Sequence, residues 1–374
     1  MKRSISFAKR HLSSNLPGDP DVVLPRAMFL RMLSLERKRA ERSRRNFILM
    51  LVDLGAGADD RVGVQKTVAA ITATVRETDV AGWYEVDRVP GVIFTEFGAT
   101  DPRSAVTIIE GRVIEALRAA LTPEQLKPIE ISFHCFPEGG EVGRVGPAST
   151  TLYPELKRRA ETRRTSFFVK RAIDLVASAA ALLVLAPLFL VIAAAIRLTS
   201  PGRIFFRQER IGQRGVPFML LKFRSMYSAC DSAPHREYVK RFIAGTAAGG
   251  DGGTPAVFKL THDPRVTAVG RWLRKTSLDE LPQFLNVLRG EMSLVGPRPP
   301  LAYETEAYDV WHRRRLIEMK PGITGLWQVS GRSRVSFDDM VRLDLRYSQT
   351  WSVRLDVAIL LRTPRTVLFG DGAY

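Results

Sequence analysis

Cysteine is nearly absent from this chain of 374 residues: the two present, Cys135 and Cys230, lie far apart and have no metal-type spacing. That excludes a disulfide framework and a cysteine-based zinc site, and it suits reduced thiols in a cytoplasmic setting. The first residues also lack the apolar core of a secretory signal. Met1 to Pro25 mixes Lys2, Arg3, Lys9, Arg10 and His11 with polar, Pro and Gly residues, so residues 1–24 read as a disordered basic arm. Ala244 to Pro255 is rich in Gly, yet it has neither the Walker spacing nor a GKS/T ending, which leaves a flexible loop instead of a phosphate cradle. His262 has no second metal-type residue at useful spacing and reads as a turn residue beside Asp263 and Pro264. Acids are in deficit, 39 against 56 Lys and Arg, for a net charge of +17. Such a balance implies an anionic partner: nucleic acid, acidic lipid head groups or a phosphorylated substrate. Trp and Phe sit in apolar patterns and not in basic stacking arrays, which argues against nucleic acid.

The length suits two domains, each able to bury a core. From residue 25 to 138 helical and strand-like segments alternate. Ala27 to Arg45 is helical, Phe47 to Leu54 a buried strand and Val64 to Arg76 a helix. Gly91 to Phe97 is a strand, Ser104 to Leu121 an amphipathic helix and Ile129 to Phe136 an alternating strand. Residues 139–165 begin Gly-, Ser- and Pro-rich and become basic, which marks a linker. Asp53, alone at a strand end, reads as a turn residue.

Charge is also missing from Leu175 to Ile196, an uncharged run of 22 residues, long enough to cross the hydrocarbon layer. Pro187 interrupts it, removing a helical hydrogen bond. Both flanks are basic, Lys170 and Arg171 before and Arg197, Arg203, Arg207 and Arg210 after, so the positive-inside rule assigns no orientation. A re-entrant hairpin over 173–198, breaking at Ala186 and Pro187, keeps both ends on the cytoplasmic side; an ordinary spanning helix is the alternative.

The richest chemistry lies between Arg271 and Pro300. Asp279 and Glu280 stand side by side among Arg271, Arg274, Lys275, Arg289 and Arg298. Leu281, Phe284, Leu285 and Leu288 recur at helical spacing behind them, and Pro282 suits a first turn, so the acids sit at a helix N-terminus. Ser277 and Glu280 also have capping-box spacing, which would make Glu280 a helix starter only. Phe218 to Phe223 reads as a strand delivering Lys222 and Arg224, and Gly296-Pro-Arg298-Pro-Pro is a rigid loop carrying one arginine. Arginines of this kind clamp phosphate oxygens. Tyr303 to Met319 reads as one amphipathic helix. Leu343 to Leu368 mixes apolar residues with Arg346, Arg354, Arg362 and Arg365 as interfacial helices do.

These residues, together with Lys222-Phe-Arg-Ser-Met226 and Lys320-Pro-Gly-Ile-Thr-Gly-Leu-Trp-Gln-Val329, resemble the bacterial sugar transferases, the monotopic phosphoglycosyl transferases. The resemblance runs from about Phe167 to about Leu368. It implies transfer of a sugar-1-phosphate from a nucleotide-diphosphate sugar, UDP-linked, to polyprenol phosphate at the cytoplasmic face of the cell inner membrane. Asp279 would be nucleophile and Mg²⁺ ligand, Glu280 its catalytic partner, and Lys222, Arg224, Arg274, Arg298, Gln328 and Arg332 would bind substrate. Residues 25–138 resemble the GGDEF domain of diguanylate cyclases, carried by Arg76-Glu-Thr-Asp79-Val-Ala-Gly-Trp-Tyr84. The signature position holds Glu85-Val-Asp-Arg-Val89 without its glycines, so cyclase activity is not expected. Arg76 and Asp79 match the spacing of that family's inhibitory cyclic-di-GMP site, leaving a sensor or a homodimerising remnant.

The expected class is thus α/β (α+β): a ferredoxin-like, GGDEF-like βα domain, then a mostly helical monotopic membrane domain over 166–374 containing a re-entrant helix-break-helix. An inactive membrane scaffold or a cyclic-di-GMP-responsive adaptor is the competing reading.

Overall fold

The computed structural model describes residues 23–43, 45–95, 101–137, 150–227, 233–244, 265–330 and 335–369. The basic arm through residue 22, Cys230, the Gly-rich stretch from 245, His262 and Arg332 therefore lie outside the described residues. Two compact units emerge: Met1–Gly140 with Ser149–Pro154, and Glu141–Ala148 with Glu155–Tyr374.

In the first unit, helix α1 (Arg26–Ser43) precedes β1 (Phe47–Asp53), α2 (Arg61–Thr72), β2 (Val80–Glu85), β3 (Val89–Phe94), α3 (Pro102–Ala120) and β4 (Glu130–Phe136). The four strands form one antiparallel sheet in the order β2-β3-β1-β4. This is the βαββαβ arrangement expected of a ferredoxin-like domain. β1 is central and apolar on both faces, so its run from Phe47 to Val52 is wholly buried. Ile48, Met50 and Val52 face one core with Val64 and Ile71 of α2 and Val113 and Leu117 of α3. On α1, Phe29 and Leu33 are fully buried, and Phe29 lies against Gly82 so closely that a Cβ there would meet its ring carbons at 2.5 Å.

Asp53 is a turn residue, its carboxylate accepting from the Gly55 amide at 2.9 Å. Asp79 serves similarly, accepting from the amides of Arg76 at 3.1 Å and Thr95 at 3.3 Å. The spacing that suggested a nucleotide site is here a local turn before β2, with the Arg76 side chain exposed. Within the stretch read as linker, Leu152 and Tyr153 are buried, and the buried Arg37 of α1 donates to the Leu152 carbonyl at 2.9 Å and lies over the Tyr153 ring.

The second unit begins with α4 (Pro154–Thr162) and α5 (Arg164–Thr199), followed by the hairpin β5 (Phe205–Ile211) and β6 (Pro217–Phe223). Then come α6 (Ala233–Ile243), α7 (Ala268–Lys275), α8 (Gln283–Arg289), β7 (Ser293–Val295), β8 (Gly322–Thr324), α9 (Phe337–Thr350) and α10 (Val353–Phe369). β7 and β8 pair in parallel. There Gly296 and Gly322 cross at backbone contact, since a Cβ on Gly322 would lie 2.0 Å from the Gly296 nitrogen.

Three expectations change. The helix-break-helix is one helix of 36 residues with Ala186 and Pro187 in its interior. A proline removes one hydrogen bond, and the flanking Ala and Leu residues are helix formers that carry the helix across it. Tyr303 to Met319 is not one helix but three short ones, Ala302–Glu306, Val310–Arg313 and Arg315–Glu318. His312 and Arg315 are drawn inward to Asp338 and Asp344, 26 and 29 positions on, and Arg315 also donates to Tyr308 within the stretch, which breaks the run. Finally, α9 buries Met340, Val341 and Tyr347 in the core, so only α10 keeps an outward apolar face, with Val357 and Leu361 exposed.

Candidate functional site

The acid pair sits on a turn built by its neighbours. Thr267 caps α7, its hydroxyl accepting from the Gly270 amide at 2.9 Å. The helix ends in Arg274 and Lys275. Ser277 then adopts a left-handed conformation (φ 56°), reversing the chain into a single 3-10 turn, Leu278–Glu280. In that conformation the Ser277 side chain caps nothing, so the capping-box alternative for Glu280 is not realised. Asp279 is buried at 8% exposure, and the Glu280 carboxylate accepts from Lys222 Nζ at 2.9 Å.

A fixed base supports the turn. Asn286, fully buried on α8, accepts from the Leu221 amide at 3.0 Å and donates to the Met219 carbonyl at 2.8 Å, tying α8 to β6. Ile192 and Ile196 of α5 pack with Phe223 and Leu273 beneath it, joined by Leu278 and Leu281. Lys222 and the acids are therefore held by the same apolar cluster.

The other expected ligands divide. Arg224 is turned to the chain itself: its Nη1 donates to Pro201 O at 2.6 Å and its Nη2 to Ser200 O and Oγ at 2.7 Å, closing the C-terminus of α5. Arg298 forks onto Glu304 at 3.0 and 3.2 Å. Burial works against the Glu304 carboxylate, but Arg298 and Arg210 outweigh it and hold Glu304 below its ordinary range. Burial, with Arg298 adding repulsion, lowers Arg210 to about 10. Arg274 is half-buried and makes no side-chain hydrogen bond or ion pair among the described residues. Gln328 donates weakly to Ile323 O at 3.5 Å while its buried Oε1 has no partner.

Beside the turn lies a cavity of about 450 Å³, walled by Glu280 and Ser277 on one side, Ile323, Thr324 and Gln328 below, and Thr363 to Val367 of α10 opposite. Thr324 and Thr363 share a hydroxyl hydrogen bond at 2.9 Å across its floor.

Among the described residues no three His, Cys, Asp or Glu side chains group to hold a metal ion. Asp279 and Glu280 supply two adjacent carboxylates. That set fits Mg²⁺, which takes one or two carboxylates and completes its shell with phosphate oxygens and water.

Sequence reasoning missed the polar anchors of α5. Lys170 donates to Asp356 of α10 at 2.6 Å and to the Val295 carbonyl at 3.0 Å. Asp356 also accepts from Tyr347 at 2.6 Å and Trp351 at 3.0 Å. Arg171 donates to the Val287 and Leu288 carbonyls that end α8, at 2.6 and 2.9 Å. Asp174 accepts from Ser293 Oγ and the Leu294 amide at 3.1 and 3.0 Å. The one available signal was Asp174 itself, a charge one residue outside the uncharged run.

Residues 165–370 match the bacterial sugar transferase family. Exopolysaccharide production protein ExoY of Rhizobium meliloti is 43% identical over 208 residues, covering 55% of this chain and 88% of that protein. UDP-glucose:undecaprenyl-phosphate glucose-1-phosphate transferase of Caulobacter vibrioides is 42% identical over 216 residues, 55% of this chain and 72% of that one. Undecaprenyl-phosphate galactose phosphotransferase of Salmonella typhimurium is 42% identical over 214 residues, 57% of this chain, but the match spans only 43% of that longer protein. Among solved structures, a DGC protein of Thermotoga maritima matches 31% of this chain and 83% of its own, at 22% identity and a TM-score of 0.25.

Proposed function

The chain belongs to the bacterial sugar transferase family, and from that premise we propose that it transfers a sugar-1-phosphate from a UDP-hexose to undecaprenyl phosphate, starting exopolysaccharide assembly. The observation that carries this reading is the buried Asp279 on its tight turn, beside the Lys222–Glu280 pair and at the root of a long apolar helix. Relatives named for transfer to undecaprenyl phosphate support the substrate classes.

An Asp279 oxygen attacks the β-phosphorus, the bond from that phosphorus to the bridging oxygen breaks, and nucleoside monophosphate leaves with the electron pair. A phosphate oxygen of the lipid then attacks the same phosphorus and the aspartate is released as carboxylate. Glu280, held by Lys222, keeps a second negative group oriented beside the reacting carboxylate. Arg274, which makes no side-chain hydrogen bond or ion pair among the described residues, is a cation available to meet the donor's diphosphate. Mg²⁺, held by Asp279 and Glu280 with donor phosphate oxygens, would supply neutralisation of the diphosphate charge.

Intact-mass spectrometry of the enzyme with donor present and acceptor withheld tests this. An adduct of one sugar phosphate is expected, absent from Asp279→Asn; an unmodified wild-type mass over the time in which nucleotide is consumed would refute it.

The site works at the cytoplasmic face of the inner membrane. The exposed apolar middle of α5, with Leu183, Val184, Leu190 and Val191 each more than half exposed, suits burial in lipid, and the exposed Arg354, Arg362 and Arg365 of α10 suit anionic head groups.

A further inference from the structure

We propose that the cavity beside the acid turn seats the first isoprene units of the lipid acceptor, and not the nucleotide of the donor. This rests on the function proposed above and adds which substrate fills which space.

Three features of the walls carry it. Leu278, Leu281, Phe284, Ile323, Val329 and Val367 give the cavity an apolar lining. Among the described residues not one Lys or Arg borders it, although the chain carries 56 of them. A nucleoside diphosphate seated inside it would bring two phosphates into a space whose walls carry no Lys or Arg among the described residues, leaving those charges desolvated and unpaired. A prenyl chain has no charge to satisfy and gains from the same walls.

The dimensions agree. At about 30 Å³ per heavy atom, the share of a water in the liquid, the 450 Å³ space takes about three five-carbon units. Position agrees as well. Glu280 borders the cavity directly and Asp279 precedes it in the same turn, so a lipid seated here keeps its phosphate at the reacting carboxylate. The opposite wall belongs to α10, which also carries the exposed Leu361. A chain leaving the cavity along that helix therefore meets an apolar outer face.

The test uses the full chain in lipid nanodiscs. Val367→Trp fills the cavity from the α10 side without touching the acid turn. The KM for undecaprenyl phosphate should rise on the order of tenfold or more, the scale on which an apolar pocket discriminates small changes in fit, while the KM for the nucleotide sugar stays put. A rise in donor KM with acceptor KM unchanged, or no change in either, overturns the assignment. Because this variant could fold poorly, a second measurement uses the wild type: an undecaprenyl phosphate carrying a diazirine on its second isoprene unit is photolysed on the enzyme. Adducts on peptides holding Leu281 to Phe284, Ile323 to Val329 or Thr363 to Val367 support the seat. Adducts confined to the 176–191 stretch of α5, or labelling abolished by excess ordinary phospholipid, overturn it. If wild-type enzyme instead releases no nucleoside monophosphate and makes no lipid product, the proposed function itself fails and the subsite falls with it.

Discussion

Asp356→Ala is the sharpest test of how the membrane helix is joined to the catalytic body. The Asp356 carboxylate collects Lys170, Tyr347 and Trp351 as donors at 2.6, 2.6 and 3.0 Å. Its side chain and that of Lys170 are each 9% exposed. With the carboxylate gone, Lys170 is left with the Val295 carbonyl and Tyr347 Oη, 3.5 Å away, as its neighbours. Removing one member of a buried pair costs about 3–5 kcal/mol, because the survivor stays desolvated and uncompensated. For a unit of this size, 1 kcal/mol moves the midpoint by about 2–4 °C, so Tm should fall by about 6–20 °C. The assay is thermal unfolding of the full chain in detergent, followed by tryptophan fluorescence. The double variant Lys170→Met with Asp356→Leu should recover much of the loss, since no orphan charge remains. A fall below about 3 °C, within the reach of one exposed contact, or a double variant as unstable as the single one, would refute the reasoning.

Other outcomes follow from the same geometry. Glu304→Gln should destabilise the protein at neutral pH: the folded-state pKa of Glu304 is depressed, so its contribution is present above the ordinary value of 4.5 and is lost as pH falls through the lower folded value. The gap between wild-type and variant melting curves should therefore close as the solution is acidified; a gap that widens contradicts it. Gly82→Ala forces a Cβ onto Phe29 and should cost about 1–3 kcal/mol by overpacking, measured as a lower denaturation midpoint. Lys222→Met should lower kcat by freeing Glu280 from its 2.9 Å partner while leaving Tm nearly unchanged, because the pair is partly exposed.

Much of the first unit was legible because its signals are local. The apolar run Phe47 to Val52 becomes the buried central strand, and the periodic Ser104 to Leu121 becomes α3. The acid pair was legible in the sequence, but the shape of its turn was not. Ser-x-x-Glu spacing suggests a cap wherever Ser277 has extended dihedrals, but here it is left-handed, at the junction of α7 with a 3-10 turn that packs against both α7 and β6. The partners of the arginines were hidden for a related reason. Arg224 and Arg298 look alike in sequence to a phosphate clamp, yet Ser200, 24 positions away, and Glu304, 6 positions on, take their forks. The Lys170–Asp356 pair spans 186 positions, and no spacing rule reaches that far. Charges at local spacing can be read from the chain; charges paired by the fold require the fold.

The path of α5 can be argued from its anchors. Ser178 is fully buried on the body of the second unit, as are Ile192 at 2% and Ile196 at 2% exposure after the proline, while the stretch between them is largely exposed. At about 1.5 Å per residue, the interval from Ser178 to Ile192 measures about 21 Å along the axis, short of the roughly 30 Å of hydrocarbon. A helix held to one body at both of these points leaves only this exposed interval to face lipid. If that interval enters one leaflet only, both basic flanks stay with the anionic head groups of that leaflet. Single cysteines at Ser166 and at Leu198 should thus both be modified by a membrane-impermeant maleimide from the same side of sealed vesicles, after the two native cysteines are replaced. Modification from opposite sides would show that the helix spans the bilayer and would refute the one-leaflet path.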